Sequence, residues 1–305
     1  MPLYKLKAKR APKKISKKLI LCWALTGYVY ICKKTLKMKT HTLINIICAF
    51  CIMLFISCSD NDEGKDIIVE PPVKQILIKK ITETIYYSNE SETSVSNFAY
   101  ENNVLKSVTT NIRYKSEFEY NGDKITKVNY FRDEIAVGSV MFYYNGDFLS
   151  YLFSKGNPDE RTEYSYVGGI LASEKEGYLE EGKYIVQREM LLSFNQAQNI
   201  TQVTSKSTLT GPEIISEIKY FYDNKNNPMK FMNKYYRLVF VKEGFDGKSV
   251  NNITSESYSS STNADVSYTN FEITYNADDF PIEIKKISKS NNSVISKTLI
   301  EYQSI

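Results

Sequence analysis

The sequence predicts an all-β protein: an antiparallel meander of repeated β-hairpins, about 16 strands in a curved or rolled sheet, with little helix. Three observations lead there. A short aromatic pattern recurs from about residue 76 to the end of the 305-residue chain. Polar turn residues follow its clearest copies, and β-branched and aromatic residues dominate the flanks. No stretch holds apolar residues at helical spacing over three turns without Gly, Asn or Ser clusters.

In its clearest copies the pattern reads aromatic–x–Tyr, a polar turn, then apolar residues five and eight positions after the Tyr. Phe98-Ala-Tyr100 leads to Leu105 and Val108, Phe118-Glu-Tyr120 to Ile125 and Val128, and Phe142-Tyr-Tyr144 to Leu149 and Leu152. Looser copies surround Tyr164-Ser-Tyr166, Leu192-Ser-Phe194, Tyr220-Phe-Tyr222, Ile273-Thr-Tyr275 and Ile300-Glu-Tyr302. The copies lie 20 to 28 residues apart except for one gap of 53, where Leu238-Val-Phe240 suggests a degenerate unit. Repeats at this period mean one supersecondary unit used many times. Phe118 and Tyr120 are two apart and share one face of a strand. Asn121-Gly122 and Asn145-Gly146 provide the positive φ of a tight hairpin turn. On the return strand Ile125 and Val128 are three apart, which a β-bulge or a strand buried on both faces accommodates. The strands are expected to lengthen toward the C-terminus.

The chain ahead of this body is different in kind. Residues 1 to 57 carry 12 Lys and Arg and no Asp or Glu. Removing those 12 from the 39 basic residues leaves 27 against 35 acidic ones, about −8 from residue 58 onward, although the whole chain is +4. An acidic body has no electrostatic pull on nucleic acid. Thr42 to Ile56 is a nearly continuous apolar run behind a basic start and ahead of Ser57-Cys58, the three-part plan of a secretory signal. The run, about 15 residues, is short for a spanning helix, which needs about 20. It resembles the bacterial lipoprotein signal, with Phe55 where Leu is usual and the small Ser57 before the cut. The resemblance implies cleavage before Cys58 and lipid on that cysteine; an uncleaved anchor is the alternative. The acidic stretch after Cys58 resembles the surface-export signal of Bacteroidetes lipoproteins. That implies the outer face of the outer membrane, with the periplasmic face as the alternative.

The domain plan follows. Residues 1–37 read as a mis-annotated extension, because a complete signal begins at Met38; 38–57 are the signal peptide, 58–75 a flexible acidic tether, and 76–305 a single β-repeat domain. Tyr222 to Pro228 and the Tyr-Asn-Gly-Asp turns resemble the YD repeats of RHS-type proteins. Residues 76–305 as a whole resemble uncharacterised Bacteroidetes lipoproteins built from such repeats. The resemblance brings no catalytic residue with it.

Composition narrows the chemistry. His41 and every cysteine except Cys58 lie before residue 58. That excludes a Ser-His-Asp triad, a Cys-His pair, disulfides and an ordinary zinc site from the body. No phosphate-cradling or dinucleotide-binding glycine motif occurs there, and no cofactor is expected. A glycosidase needs only two carboxylates. The candidates are Asp133, Glu134, Asp159, Glu160, Glu180, Glu181, Asp278 and Asp279, most of them in stretches that read as solvated turns. Asp60-Asn-Asp62 and Asp223 to Asn227 offer oxygen ligands without the full ladder of a calcium loop, and read better as tether and hairpin turn. Tyr86, Tyr87, Tyr143, Tyr235, Tyr236, Tyr258 and Tyr268 lie outside or beside the repeat positions. They serve cross-strand packing, or else stack on sugars or anchor a protein partner. The expected function is a lipid-anchored, non-catalytic binding module for a glycan or an envelope protein. A carboxylate-based glycoside hydrolase and a purely structural envelope component are the alternatives.

Overall fold

The computed structural model describes residues 75–209, 211–239 and 246–304. The signal, Cys58 and the tether lie outside the described residues. Among the described residues sixteen antiparallel strands run in chain order: β1 Ile76–Tyr86, β2 Ser91–Glu101, β3 Val104–Thr110, β4 Tyr114–Asn121, β5 Lys124–Arg132, β6 Ile135–Asn145, β7 Phe148–Ser154 and β8 Asn157–Val167. They continue with β9 Ile170–Glu180, β10 Lys183–Phe194, β11 Ile200–Ser207, β12 Ile214–Tyr222, β13 Ile253–Ser260, β14 Asn263–Tyr275, β15 Pro281–Ser288 and β16 Val294–Ser304. Each pairs with its sequence neighbours, and β1 pairs with β16, so the sheet closes into a barrel. The expectation of a curved or rolled sheet is corrected in that respect. Strand length varies between 7 and 13 residues with no steady growth toward the C-terminus.

Closure has a legible cause. The aromatic–x–Tyr positions occupy all eight even-numbered strands, and each faces a return strand carrying one extra residue at the same level. Between Tyr120–Ile125 and Glu119–Lys127 the register slips by one, leaving Thr126 over. The same slip occurs opposite Tyr100, Tyr144, Tyr166, Phe194, Tyr222 and Tyr275. The eighth falls where β1 meets β16, between Ile78–Tyr302 and Lys80–Glu301. A bulge raises local twist and bends its strand, so eight at one level curl the sheet uniformly until its edges meet. The three-residue spacing of Ile125 and Val128 is therefore a bulge. The last repeat, Ile300-Glu-Tyr302, has no return strand of its own; β1 supplies it, with Ile78 and Ile81 three apart.

Phe98, Phe118, Phe142, Tyr220 and Ile300 point inward with Leu105, Ile125, Val128, Leu149, Ile200 and Val203, forming a core at one end of the barrel. The tyrosines two residues on form a girdle there. Tyr100 donates its phenol to the Ile78 carbonyl at 2.8 Å, Tyr120 to Leu105 at 2.7 Å, Tyr144 to Ile125 at 2.6 Å and Tyr302 to Pro281 at 2.6 Å. Each bond ties an even strand to the return strand of the preceding hairpin, the side on which no turn joins them at this end. Burial pushes the Tyr120 and Tyr166 phenols up to about 12 and raises those of Tyr100, Tyr144, Tyr222 and Tyr302 further. At the turns below, Gly122 and Gly146 take φ of +62° and +57°, while Asn102 and Asn103 reach +49° and +65° without glycine. The positive φ belongs to the glycine alone in the Asn-Gly turns, the asparagine being the last residue of the strand.

Among the described residues the 53-residue gap holds no degenerate hairpin; Phe240 lies outside them. Leu238 lies in the short helix α1, Lys234–Val239, within the excursion between β12 and β13. Asn233 starts that helix: its side-chain oxygen accepts the amides of Tyr235 and Tyr236 at 2.9 and 3.2 Å. Its side-chain amide donates to the Asp123 carbonyl at 2.6 Å, on the rim of the barrel.

Two predictions follow from the girdle. Tyr120→Phe removes a half-buried hydrogen bond and should lower the unfolding free energy by about 1 kcal/mol with an unchanged denaturant slope. The phenols have raised folded-state pKa values, so their contribution is complete below pH 10 and declines as pH climbs toward 12. Circular dichroism across that window should show a cooperative loss of strand signal that is absent at pH 9.

Candidate functional site

The barrel has two unlike ends, and alternation along the strands sets their chemistry. Beyond the aromatic core, inward positions turn polar level by level. Phe118 pairs with Val128, then Ser116 with Tyr130, then Tyr114 with Arg132. Ile300 pairs with Ile81, then Thr298 with Glu83, then Ser296 with Ile85. On β8 and β9 the pairs are Tyr164 with Glu174, Thr162 with Glu176 and Glu160 with Tyr178. On β12 and β13 they are Tyr220 with Glu256, Ile218 with Tyr258 and Ser216 with Ser260. The far lumen is therefore lined by hydroxyls, tyrosines and charged groups. The connections at that end span two to six residues, too short to cover it.

The excursion between β12 and β13 caps the core end. Met229, Met232, Tyr235 and Tyr236 are buried. Tyr236 meets Phe118 edge-on at 5.6 Å and Tyr235 meets Tyr144 at 4.8 Å. The Tyr235 phenol donates to the Asp147 carbonyl at 3.0 Å. Half-buried Arg237 donates to the carbonyls of Gly247 and Ser249 at 2.7 and 3.0 Å, and desolvation lowers its pKa. Lys248 forms a buried ion pair with Glu174 at 2.9 Å. Glu174 and Glu256 are the two repeats in which a carboxylate replaces the second apolar residue, and each has a cation: Lys286 lies 3.2 Å from Glu256. A buried carboxylate without such a partner would be costly.

The outer wall alternates with the core and is charged. Glu119 and Lys127, beside inward Phe118 and Val128, pair at 2.8 Å. Lys80 with Glu301, Lys175 with Glu189 and Lys297 with Glu283 pair at 2.7, 3.1 and 2.6 Å. Hydrogen bonds from Lys127, Lys297 and Lys80 hold Glu119, Glu283 and Glu301 below the usual carboxylate range. A barrel wall in lipid presents an apolar band about 25 Å tall; this wall has ion pairs at mid-strand instead. Among the described residues no helix is long and apolar enough to cross a membrane.

The sequence candidates scatter over this frame. Asp133 and Glu134 sit in the β5–β6 turn and line an open outer concavity of about 720 Å³ with Arg113, Lys115 and Glu117. Arg113 holds Asp133 at 3.2 Å and Lys115 holds Glu117 at 2.5 Å, so those charges are compensated. Asp279 is paired with Lys225 at 2.6 Å beside Asp278 in the β14–β15 turn. Glu180 ends β9 and Glu181 follows in its turn; Asp159 and Glu160 lie within β8, and of the eight only Glu160 and Glu180 fall on the inward face of a strand. Asp223 to Asn227 form the base of the cap and no hairpin turn. The Asp223 carboxylate accepts the amides of Lys225 and Asn252 at 3.0 and 3.1 Å and the Tyr275 phenol. Among the described residues no cluster of metal-binding side chains occurs; Asp60 and Asp62 lie outside them.

The tyrosines divide in the same way. Tyr235 and Tyr236 are core. Tyr143 stacks between Tyr151 at 4.8 Å and Phe153 at 5.4 Å on the outer wall, and Arg161 covers Tyr151 at 5.1 Å, so packing consumes those faces. Tyr86 and Tyr87 are exposed at the β1–β2 turn, Tyr268 is exposed on the outer wall, and Tyr258 faces the lumen. Sequence reading missed Glu176, Tyr178 and Arg188. Strict alternation counted outward from the bulge would have placed all three on the inward face.

No family model matches the chain, and neither does any curated protein. Solved structures do. A porin-like protein from Bacteroides uniformis superposes with a TM-score of 0.52 at 12% identity, covering 75% of this chain and 98% of that one. This chain shares its barrel fold. A porin-like protein from Bacteroides vulgatus covers 75% of this chain and 99% of its own at 14% identity, with a TM-score of 0.48, too low to add to that argument. The resemblance to YD-repeat proteins has no family match behind it.

The cap is testable through Gly247, where an added Cβ would lie 2.6 Å from the Arg237 carbonyl oxygen. Gly247→Ala should destabilise the protein by about 2 kcal/mol. Hydrogen exchange should rise in residues 223–252 while the strands stay protected.

Proposed function

We propose that the protein is a lipid-anchored binding module of the outer membrane, carried on Cys58 and exposed at the cell surface, which receives its ligand through the uncapped mouth of the barrel. The ligand class is a glycan or an envelope protein. The observation that carries this reading is the polarity of the barrel: one end is filled by aromatic layers and a cap, the other opens on hydroxyls, tyrosines and charges. Binding sites are concave and place a few polar groups among aromatic ones, as the mouth does. The chain enters at the capped end, since Ile76 and Ile78 pair with Ser304 and Tyr302 of the girdle. A tether attached there leaves the mouth unobstructed.

The porin-like neighbour from Bacteroides uniformis supports an envelope setting, while the charged wall and the cap favour a barrel standing in water over one that conducts ions across the bilayer. Purified protein added to planar bilayers should give no channel conductance; stable unit conductance would overturn the water-exposed reading. From residue 58 onward the sequence holds no cysteine but Cys58. A membrane-impermeant maleimide should therefore label Ser267→Cys, an exposed position at the mouth, on intact cells. Labelling only after lysis would move the protein to the periplasmic face.

A further inference from the structure

Resting on that reading of the mouth, we infer that the ligand is a neutral glycan and that its sugar ring is held on the lumen wall formed by β8, β9 and β10. Five inward side chains meet there. Glu160 faces Tyr178 and Thr162 faces Glu176 across β8 and β9, and Arg188 faces Glu176 from β10. Arg188 donates to Glu176 at 3.0 Å, and their side chains are only 12% and 28% exposed. That pair is fixed in place, so its remaining donors and acceptors keep a set direction toward the lumen. Tyr178 stands half-buried beside it, a flat apolar ring with a polar tip. Glu160 is exposed, and among the described residues no cation lies within ion-pairing distance of it.

The combination matches what a sugar offers. A pyranose presents hydroxyls that both donate and accept, beside a face of C–H groups. Carboxylates accept from hydroxyls, the guanidinium donates to them, and a tyrosine ring covers the C–H face. Charge selects among sugars. Glu176 and Arg188 neutralise one another and Glu180 faces Lys183 at the β9–β10 turn, which leaves Glu160 to set the sign of the wall, and a negative wall repels uronic and sialic acids. The outer aromatic stack is a poorer candidate, because its rings are already faced by one another and by Arg161. The outer concavity beside Asp133 is a poorer one too, since its paired charges have no free donor set.

The experiment is binding of the full chain, purified in detergent, to an array of neutral and acidic oligosaccharides, followed by titration with the best neutral one. Neutral sugars should be retained over acidic ones. Tyr178→Ala and Glu160→Gln should each weaken binding at least tenfold with an unchanged far-ultraviolet spectrum, and Ser94→Ala on the far wall should leave it as it was. Glu160→Gln should also narrow the gap between neutral and acidic sugars, which a merely structural role would not do. Absence of sugar binding, preference for acidic sugars, or unchanged affinity in both variants would each overturn the inference. Failure of the mouth reading itself looks different: sugar would still bind after a bulky maleimide had been attached at Ser267→Cys.

Discussion

One extra residue per hairpin is the constraint on which the rest of this structure depends. Each return strand accommodates it at the same level, opposite the girdle residue of the repeat, and the resulting ring of bulges gives every hairpin the same added twist. Sixteen strands bent alike have one low-energy arrangement, a closed cylinder without edges. The phenol-to-carbonyl bonds then hold the strand pairs that no turn joins at that level. The chain closes by splitting its eighth repeat, with the aromatic strand at the C-terminus and the return strand at the start of the domain.

The same geometry separates three chemical environments. Inward positions at the girdle are aromatic or aliphatic and are sealed by the cap. Inward positions farther along carry hydroxyls, tyrosines and ion pairs. Outward positions alternate with both and carry a ladder of Lys–Glu pairs. Surface ion pairs of this kind contribute little stability individually. Their consequence bears on the proposed setting: ion pairs at mid-strand stand where a lipid-facing barrel carries its apolar band, and the proposal of a water-exposed wall rests on them. Fold and milieu are separate properties, and the side chains on the outer face determine the second.

Much of the fold was legible because a strand's side chains repeat every two residues and a hairpin unit repeats every twenty or so. Aromatic–x–Tyr located all eight even strands, including the loose copies at Leu192 and Ile273, and the three-residue spacing of Ile125 and Val128 admitted either a bulge or a strand buried on both faces, of which the register shows the bulge. The gap at Leu238 misled, because an aliphatic pair near an aromatic looks like a weak repeat until Asn233 is seen starting a helix. The candidate site was less legible. Glu160 was singled out only as one of eight carboxylates, since a list of acidic residues does not say which face of a strand each occupies. Glu176, Tyr178 and Arg188 lie in a stretch where charged residues are dense, and only the register separates the inward ones from the rest.

By itself the sequence determined the strand chemistry: antiparallel hairpins, about 16 strands, the Asn-Gly turns, the acidic body, and the absence of histidine from it. These are local properties, set by residue type and by spacings of a few positions. The tertiary structure alone decided that β1 completes the last repeat, that the excursion after β12 folds back as a cap over the aromatic core, and that Lys248 neutralises Glu174. Those outcomes join residues 70 to more than 200 positions apart. No local pattern encodes such pairings, because they depend on the summed twist of every strand between them.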